Sequence, residues 1–450
     1  MPSSLRTPVA CGVDIGSTNV KVVLLSRDGG VVARSGRSTP RDPQTLCIDG
    51  KALLGTVESM IAQACADRFE VHAVCVAGVG EDGVFVDGDL NPITPALAWF
   101  DPRRQDVLDD IREDIAADET FDAVDDAGRS LVGWVWARQQ PNSGAAREWT
   151  ALADLPAGTW AGRPFISDTL ASRTGAWRAR DRSWDISRVT ATLGSIERLP
   201  PVLAAGEIAG DVNAPALASA GALAADAIAV VGGHDHPIGG WGVDQMAPGA
   251  VLDSMGTAEV VVCQRPEPPG LRRRDIDLAP GIRSDGTTLL RVEELSRNVA
   301  WASQEPAVAA AIRDIMNGQT PVASALEAGY FLPGTRGGGI PSYTADAPRD
   351  PHHRAAAVLG ALAQVGREAV DAVRGSTVDR TGVRLAGGWA RSQGWVAIKE
   401  MVNGYHTEVV AEPEVTALGA ALLAASARGW APDPAVALGG DRTAVTPRSR

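Results

Sequence analysis

Residues 9–35 have the sequence VACGVDIGSTNVKVVLLSRDGGVVARS. Three apolar runs in this stretch are separated by the short polar segments STN and RDGG, which have the composition of tight turns. The pattern predicts three consecutive antiparallel strands. A helix is predicted next, because Leu53, Val57 and Ile61 recur at helical spacing. The apolar run VHAVCVAG at 71–78 then predicts a buried strand. We therefore expect this part of the chain to have an α/β fold.

The length of the chain predicts two domains. Its 450 residues, 45% of them hydrophobic, exceed the size at which a single core stops growing. A second strand-rich block begins at residue 249, and Ala-rich stretches at 353–374 and 413–428 predict helices near the end of the chain. We expect an N-terminal domain over residues 1–246 and a C-terminal domain over residues 247–450.

Composition argues against several classes of partner. Lys and Arg number 42 against 55 Asp and Glu, and the net charge of −13 repels nucleic acid and anionic membrane surfaces. The N-terminus has no apolar leader, and no stretch of about 18 residues is apolar throughout. We therefore expect a cytoplasmic protein with no nucleic-acid or membrane partner. The five cysteines are scattered and lack CxxC spacing, which argues against disulfides and a cysteine zinc site.

The best-known phosphate-binding motifs do not fit this sequence. Gly50 and Lys51 are followed by Ala52 rather than Ser or Thr, which excludes a P-loop. The HRD and DFG tripeptides of protein kinases do not occur. Residues 78–83, GVGEDG, match the GxGxxG dinucleotide pattern, but the sequence after them predicts a strand and a turn instead of the required helix. Binding of a nicotinamide cofactor is therefore a minor alternative.

Small residues in a hairpin turn offer another way to bind phosphate. The segment DIGST at 14–18 follows the first predicted strand. Gly16 lets backbone N–H groups approach a phosphate, and Ser17 and Thr18 add hydroxyl donors. Asp14 can hold hydrated Mg²⁺. The same pattern also suits an ordinary hairpin turn, so it does not decide the function by itself.

Two further segments strengthen the case for a nucleotide site. DSMGT at 253–257 resembles the first segment, and Gly256 and Thr257 offer phosphate the same groups. VRLAGGWARSQGW at 383–395 predicts a strand, a glycine pair and the start of a helix, where adenosine can lie against bare backbone. Three such segments in order favour nucleotide binding by two similar domains that face a cleft.

Taken in order along the chain, these motifs resemble those of the FGGY carbohydrate kinases, a branch of the actin-like ATPase superfamily. The resemblance spans nearly the whole chain and rests on GVDIGSTNVKVVLLSRDG, GVGEDGVFVDGDLNPITPALAWFDPRR, SDTLASRTGAW, LPPVLAAGEIAGDV, VVGGHDHPIGGWG, LDSMGTAEV, LAGGWARS and EVTALGAALLA. It implies an α/β fold of two actin-like, ribonuclease H-like domains facing a cleft. It also implies phosphorylation of a hydroxyl group of a sugar, polyol or sugar acid, with ATP and Mg²⁺. The partner is then a small-molecule sugar or polyol, and the family suggests a homodimer.

The resemblance assigns roles to individual residues. Asp235 corresponds to the general base, which accepts the proton of the attacking hydroxyl. The residues assigned to the nucleotide and its phosphates are Asp14, Gly16, Ser17, Thr18, Gly256, Thr257, Gly387, Gly388, Trp389 and Ser392. The residues assigned to the substrate are Glu81, Asp82, Trp99, Asp101, Arg103 and His236. Mg²⁺ is expected to be held, largely through water, by Asp14 and Asp235.

Other functions fit parts of the same pattern. His234 and His236 flank Asp235, and two imidazoles so placed can share a zinc ion, as in a metal-dependent hydrolase. Few ligand-like residues surround the other histidines, which weakens this alternative. The main alternative is a catalytically inactive regulatory protein that binds sugar or nucleotide on the same fold, because a fold does not guarantee chemistry.

Some features depart from the family or stay open. Trp389 replaces a small residue of the adenosine motif, and the segment at 329–354 is shorter than is usual for the family. For Trp99, Asp101 and Arg103, a loop locked by an Asp–Arg pair is as consistent with the sequence as contact with substrate. The sequence does not distinguish a ketose, a tetritol, glycerol or a sugar acid as acceptor.

Overall fold

The computed structural model describes residues 6–115, 126–267, 273, 275–320, 328–335, 339–375, 382–404 and 406–439. The chain divides into two compact units. The first comprises Met1–Gly242, Leu278–Thr287 and Glu414–Arg450, and the second comprises Val243–Asp277 and Thr288–Pro413. The sequence domains that we expect on either side of residue 246 stay a prediction.

Strands and helices alternate along the chain. The strands are β1 (Thr7–Ile15), β2 (Asn19–Ser26), β3 (Val31–Ser38), β4 (Phe69–Gly78), β5 (Gly83–Val86), β6 (Glu148–Ala151), β7 (Ile166–Ser167), β8 (Trp177–Arg178), β9 (Ser183–Trp184), β10 (Val202–Leu203), β11 (Ile208–Asp211), β12 (Leu223–His234), β13 (Val251–Met255), β14 (Ala258–Arg265), β15 (Asp277–Pro280), β16 (Thr287–Glu294), β17 (Phe331–Leu332), β18 (Ser342–Tyr343), β19 (Val383–Ala386) and β20 (Thr407–Val409). The helices are α1 (Gly50–Cys65), α2 (Arg103–Ile111), α3 (Ser130–Arg138), α4 (Leu155–Ala161), α5 (Asp168–Ala171), α6 (Ile186–Thr192), α7 (Pro215–Ser219), α8 (Asp235–Met246), α9 (Ser296–Ala302), α10 (Pro306–Met316), α11 (Pro351–Arg374), α12 (Gln393–Asn403), α13 (Val415–Ala427) and α14 (Pro434–Gly439).

The first unit contains a six-stranded sheet in the order β11-β12-β4-β1-β2-β3. Strands β1, β2 and β3 pair antiparallel and confirm the predicted meander, with Asp14 opposite Lys21. Strands β4 and β12 run parallel to β1, and Gly78 pairs with both Ile15 and His234. The carboxyl ends of β1, β4 and β12 therefore lie side by side, and the segments that follow them meet at one sheet edge.

The second six-stranded sheet has the order β15-β16-β14-β13-β19-β20. Strand β13 pairs antiparallel with β14 and parallel with β19, and Ser254 lies opposite Ala386. The carboxyl ends of β13 and β19 are therefore neighbours. Helices α11 and α13 confirm the helices that we predict from the Ala-rich stretches. Among the described residues, no helix combines the length and apolar character needed to cross a membrane.

The core of the first unit packs helices on its sheet. Helix α1 is the helix predicted by apolar spacing, and Leu53, Val57 and Ile61 are fully buried. Burial of each such side chain contributes roughly 1.5–3 kcal/mol. Helix α13 packs directly on β1 at Gly12, where an added Cβ would lie 1.9 Å from the carbonyl oxygen of Ala417. Any side chain at this position would push α13 away from the sheet.

Candidate active site

The edge formed by β1, β4 and β12 carries the residues with the strongest predicted roles. Asp14 lies near the end of β1, Glu81 and Asp82 follow β4, and Asp235 begins α8 directly after β12. In open α/β sheets ligands bind outside the carboxyl ends of the strands. The sheet thus brings the predicted base Asp235, the predicted metal ligand Asp14 and two predicted substrate residues, Glu81 and Asp82, to one edge.

Two histidines contact one oxygen of the Asp235 carboxylate. His234 Nε2 lies 3.1 Å from Asp235 Oδ1, His236 Nδ1 bonds to the same oxygen, and the His236 backbone N–H donates to it at 2.7 Å. Burial by itself would raise the pKa of Asp235, but His236 and His234 outweigh it and hold this pKa well below its ordinary value. The Asp235 carboxylate is therefore ionised at neutral pH.

The pKa values of the two histidines are shifted in opposite directions. Burial lowers the pKa of His234 to about 4, against the attraction of Asp235, so its imidazole is neutral at neutral pH. Burial also acts to lower the pKa of His236, but the contact with Asp235 outweighs it and raises that pKa. The ligand atoms of His234, Asp235 and His236 all lie within 4.8 Å of one another, which is the geometry behind the zinc alternative.

Asp14 lies in the electrostatic field of Asp235. Its side chain is buried, and burial first and the negative charge of Asp235 second raise its pKa to about 7, while Lys21 acts to lower it. Lys21 Nζ lies 2.7 Å from Glu414 Oε2, so a second carboxylate shares that cation. No described residue donates a hydrogen bond to the buried Oδ1 of Asp14. A buried oxygen without a donor, beside a second carboxylate, fits a divalent cation with oxygen ligands.

Glu81 and Asp82 both pair with arginines. Arg173 Nε donates to Glu81 Oε1 at 2.8 Å, and both side chains are buried. Burial would raise the pKa of Glu81, but Arg173 and His234 outweigh it and lower that pKa. Asp82 is fully buried 3.5 Å from Arg104 Nη2, and burial raises its pKa to about 7 against the pull of this arginine. The substrate contacts that we expect for Glu81 and Asp82 stay predictions.

Asp101, in the loop before α2, and Arg103, the first residue of α2, form the Asp–Arg pair that the sequence left open. Both carboxylate oxygens of Asp101 accept hydrogen bonds from Arg103, from Nε at 2.8 Å and from Nη2 at 2.7 Å. Arg103 Nη2 also donates to the carbonyl of Thr45 at 2.7 Å. Trp99 Nε1 donates to Ser17 Oγ at 3.0 Å, which links the substrate loop to the predicted phosphate turn. Contact of these side chains with substrate stays a prediction.

The second unit brings its two predicted nucleotide segments to one sheet edge. Gly387 follows β19 with a φ of +87°, and an added Cβ would lie 2.3 Å from the Met255 carbonyl oxygen. Only glycine fits there, because both the conformation and the close approach exclude a side chain. Four predicted residues are exposed beside this contact, namely Gly256, Thr257, Gly387 and Gly388.

Trp389 and Ser392 already have partners within the second unit. The Trp389 ring packs edge-on against Trp395, with ring centroids 5.3 Å apart. Ser392 caps α12, because its Oγ accepts from the Trp395 N–H at 3.1 Å and donates to the Met316 carbonyl at 2.6 Å. Their contact with a nucleotide stays a prediction.

Comparison with known proteins gives the site its context. Residues 9–242 match the FGGY family of carbohydrate kinases, N-terminal domain. The match covers 234 of the 450 residues. The chain belongs to the FGGY family. As an FGGY kinase it is an enzyme that phosphorylates sugars, and this membership favours the kinase over the hydrolase and nicotinamide alternatives.

Curated relatives of this FGGY kinase carry the names of several sugar kinases. The L-fuculokinase of Escherichia coli (strain K12) is 25% identical over 95% of this chain and 93% of its own length. The gluconokinase of Bacillus subtilis (strain 168) is 20% identical over 57% of this chain and 52% of its own length. The xylulose kinase of Streptomyces coelicolor is 25% identical over 59% of this chain and 57% of its own length.

Solved structures share the fold of this FGGY kinase. The xylulose kinase of Rhodospirillum rubrum has a TM-score of 0.81 at 19% identity, covering 96% of this chain and 92% of that one. The glycerol kinase of Plasmodium falciparum, solved with ADP, has a TM-score of 0.78 at 16% identity, covering 96% of this chain and 92% of that one. The predicted α/β fold of the actin-like kinases is confirmed.

Sequence reasoning missed the buried cations of this FGGY kinase. Arg173 lies inside the quoted motif SDTLASRTGAW, where a charge among small residues was a usable signal. Lys399 is one of three lysines and stands in the apolar stretch WVAIKEMV of α12. Its Nζ lies 2.8 Å from Asp253 Oδ2 and bonds to Glu259, and all three side chains are buried. A lone lysine on an apolar helix face indicates such buried partners.

Proposed function

We propose that this FGGY kinase transfers the γ-phosphoryl group of ATP to a hydroxyl group of an uncharged sugar, with Asp235 as the general base. The observation that carries the proposal is the ionised Asp235 carboxylate, which two histidines hold at the carboxyl end of β12 within the field of Asp14. The solved glycerol kinase that shares the fold contains ADP, which supports a nucleotide as phosphoryl donor.

Asp235 acts on the proton of the attacking hydroxyl. The sugar oxygen forms a bond to the γ-phosphorus, the bond from this phosphorus to the bridging oxygen of ADP breaks, and the hydroxyl proton moves to the Asp235 carboxylate. Because the transition state of phosphoryl transfer is loose, the proton leaves late and a carboxylate of low pKa suffices. His236 keeps the carboxylate oriented and ionised through its contact with Oδ1.

Glycine-bearing turns and two carboxylates serve the nucleotide. The residues that we assign to ATP are Asp14, Gly16, Ser17 and Thr18 of the first unit and Gly256, Thr257, Gly387, Gly388, Trp389 and Ser392 of the second. Asp14 and Asp235 would hold Mg²⁺, largely through water, and the ion when bound supplies neutralisation of the phosphate charges. The buried Asp14 oxygen without a donor supports this assignment.

An uncharged acceptor fits the charges of the site better than a sugar acid. Four cations at this edge of the first unit already face carboxylates, in the pairs Arg173–Glu81, Arg104–Asp82, Arg103–Asp101 and Lys21–Glu414. The ionised Asp235 would repel a further carboxylate on the substrate. The L-fuculokinase match over nearly the whole chain points the same way, and we propose a ketose of that kind.

The function is tested by measuring ADP release with a panel of acceptors. We expect kcat/KM for L-fuculose or xylulose to exceed that for gluconate by about tenfold or more, the effect of one unfavourable charge contact. Asp235→Asn should lower sugar-dependent ADP release about 10²–10⁴-fold, and Asp211→Asn, which changes an exposed carboxylate of the same unit, is its matched control. A preference for gluconate would contradict the proposed acceptor. Release of phosphate without sugar, at a rate that rises with the amount of zinc bound to the protein, would support the hydrolase alternative. The homodimer and the cytoplasmic location stay predictions.

A further inference from the structure

In the turn between β1 and β2, the carbonyl groups of Gly16, Ser17 and Thr18 all accept hydrogen bonds from the segment that follows β3. Thr39 Oγ1 donates to the Gly16 carbonyl at 2.7 Å, and the Thr39 N–H donates to the Thr18 carbonyl at 2.9 Å. Arg41 donates to the Ser17 carbonyl from Nε at 3.1 Å and from Nη2 at 2.9 Å. The three carbonyls therefore point toward the segment that follows β3.

The direction of these carbonyls determines where the N–H groups point. The C=O and N–H of a planar trans peptide point in opposite directions, so the N–H groups of Ser17 and Thr18 point away from Thr39 and Arg41. In the part of the chain that the structure describes, neither N–H has an acceptor. Ser17 Oγ accepts from Trp99, which leaves the hydroxyl proton to be donated elsewhere. Successive N–H groups of this kind bind anions.

We propose that Thr39 and Arg41 are positioning residues for the phosphate groups of the nucleotide. Their hydrogen bonds keep the carbonyl groups of the turn pointing toward Thr39 and Arg41, so that the N–H groups of the turn point toward the phosphate. The inference rests on the proposed function, because it takes ATP as the ligand of this turn. Without the Thr39 hydroxyl, the peptide after Gly16 can rotate and present its carbonyl oxygen, which repels an anion.

The fold does not depend on these contacts to close the hairpin. The Gly16 N–H donates to the Asn19 carbonyl at 3.0 Å, and the ladder between β1 and β2 continues from there. Arg41 is itself held in place, because its guanidinium lies 5.0 Å from the ring centroid of Phe100 and donates to the Leu46 carbonyl at 3.0 Å. The fixed positive charge of Arg41, bonded to the Ser17 carbonyl, would also attract a phosphate bound by the turn.

The test compares affinities for ligands with and without phosphate. In the full-length protein, Thr39→Val should weaken binding of ATP and ADP about fivefold to tenfold, the effect of one net hydrogen bond, and leave adenosine within about twofold. Arg41→Met should weaken ATP by tenfold or more, since it removes a charge-assisted contact. Thr39→Ser should restore affinity. The matched control is Thr56→Val, which removes a hydroxyl bond to the Ala52 carbonyl in α1.

The outcomes separate this inference from the proposed function. A wild-type protein that binds no ATP would remove both. If the wild type binds ATP, and Thr39→Val and Arg41→Met weaken it no more than Thr56→Val does, the positioning role is overturned and the kinase stands. Equal loss of adenosine affinity would also overturn it. If these variants fail to fold, Arg41→Lys provides the test, because lysine keeps the positive charge but cannot make the two-donor contact. We expect Arg41→Lys to weaken ATP binding about threefold. Wild-type ATP affinity in this variant would refute the positioning role.

Discussion

The turn between β1 and β2 and the turn between β13 and β14 follow strands that end in the same way. Ile15 is the last paired residue of β1, and Met255 is the last paired residue of β13. The residue before each is Asp14 in the first unit and Ser254 in the second. Asp253 lies one position earlier, and side chains of a strand alternate between its faces. The aspartates of two similar sequence segments therefore face opposite sides of their sheets.

The surroundings of the two aspartates differ accordingly. Asp253 is 0% exposed and lies 2.8 Å from the buried Lys399. Asp14 has a buried oxygen without a donor among the described residues, and Lys21, which acts to lower its pKa, is partly exposed and pairs with Glu414. Each aspartate has a buried oxygen without a hydrogen-bond donor among the described residues, so the difference lies in the cation. A buried lysine neutralises Asp253 and suits a role in the core, whereas Asp14 lies beside the Asp235 carboxylate and can hold a metal. We therefore expect Asp253 to stabilise the fold and Asp14 to take part in the reaction.

Asp235→Asn should give the largest effect, because the amide keeps the shape of the side chain and cannot accept the hydroxyl proton. We expect kcat for sugar phosphorylation to fall about 10²–10⁴-fold, with ATP affinity within about threefold of wild type. Asp253→Asn makes the same chemical change at the structural aspartate, and should lower thermal stability with kcat within about fivefold. Both are measured by ADP release and thermal unfolding. A fall in kcat for Asp253→Asn at unchanged stability would break the comparison.

Replacement of Lys399 and of Lys21 should change the stability of the protein to different extents. Lys399→Met leaves the buried acidic groups of Asp253 and Glu259 without their cation, and should reduce the free energy of unfolding by about 3–5 kcal/mol. Lys21→Met breaks a partly exposed pair and should cost less than about 1 kcal/mol. Denaturant titration of the full chain measures both. Equal losses would show that the Lys21–Glu414 pair also carries the fold.

The fold and most residues of the candidate site could be proposed from the sequence, because they depend on local patterns. The β-meander, α1 and the turn glycines depend on local spacing, and Asp235 stands in a short ordered motif. The pairing of Lys399 with Asp253 joins residues far apart in sequence, so no local pattern contains it. The opposite orientation of Asp14 and Asp253 depends on a single residue of register at the end of a strand.

Glu259→Gln tests the protonation of the buried cluster and should have a smaller effect than Lys399→Met. Burial first and the negative charge of Asp253 second raise the pKa of Glu259 to about 8, against the pull of Lys399. An ordinary glutamate in the unfolded chain loses its proton near pH ~4.3. Between these two pKa values folding takes up a proton, so the stability of the wild type falls as pH rises through this window.

Glutamine resembles the protonated glutamate and does not titrate, so the variant should lack this fall. Measured by urea unfolding from about pH 5 to about pH 8, the free energy of unfolding should shift in favour of the variant by roughly 1–3 kcal/mol. Glu207→Gln, an exposed change in the first unit, should show no such trend. If Glu259→Gln instead lowers stability equally at every pH, Glu259 is ionised and Lys399 is held by two full charges. The two turns would then still differ in one contact, because Asp253 is paired with the buried Lys399.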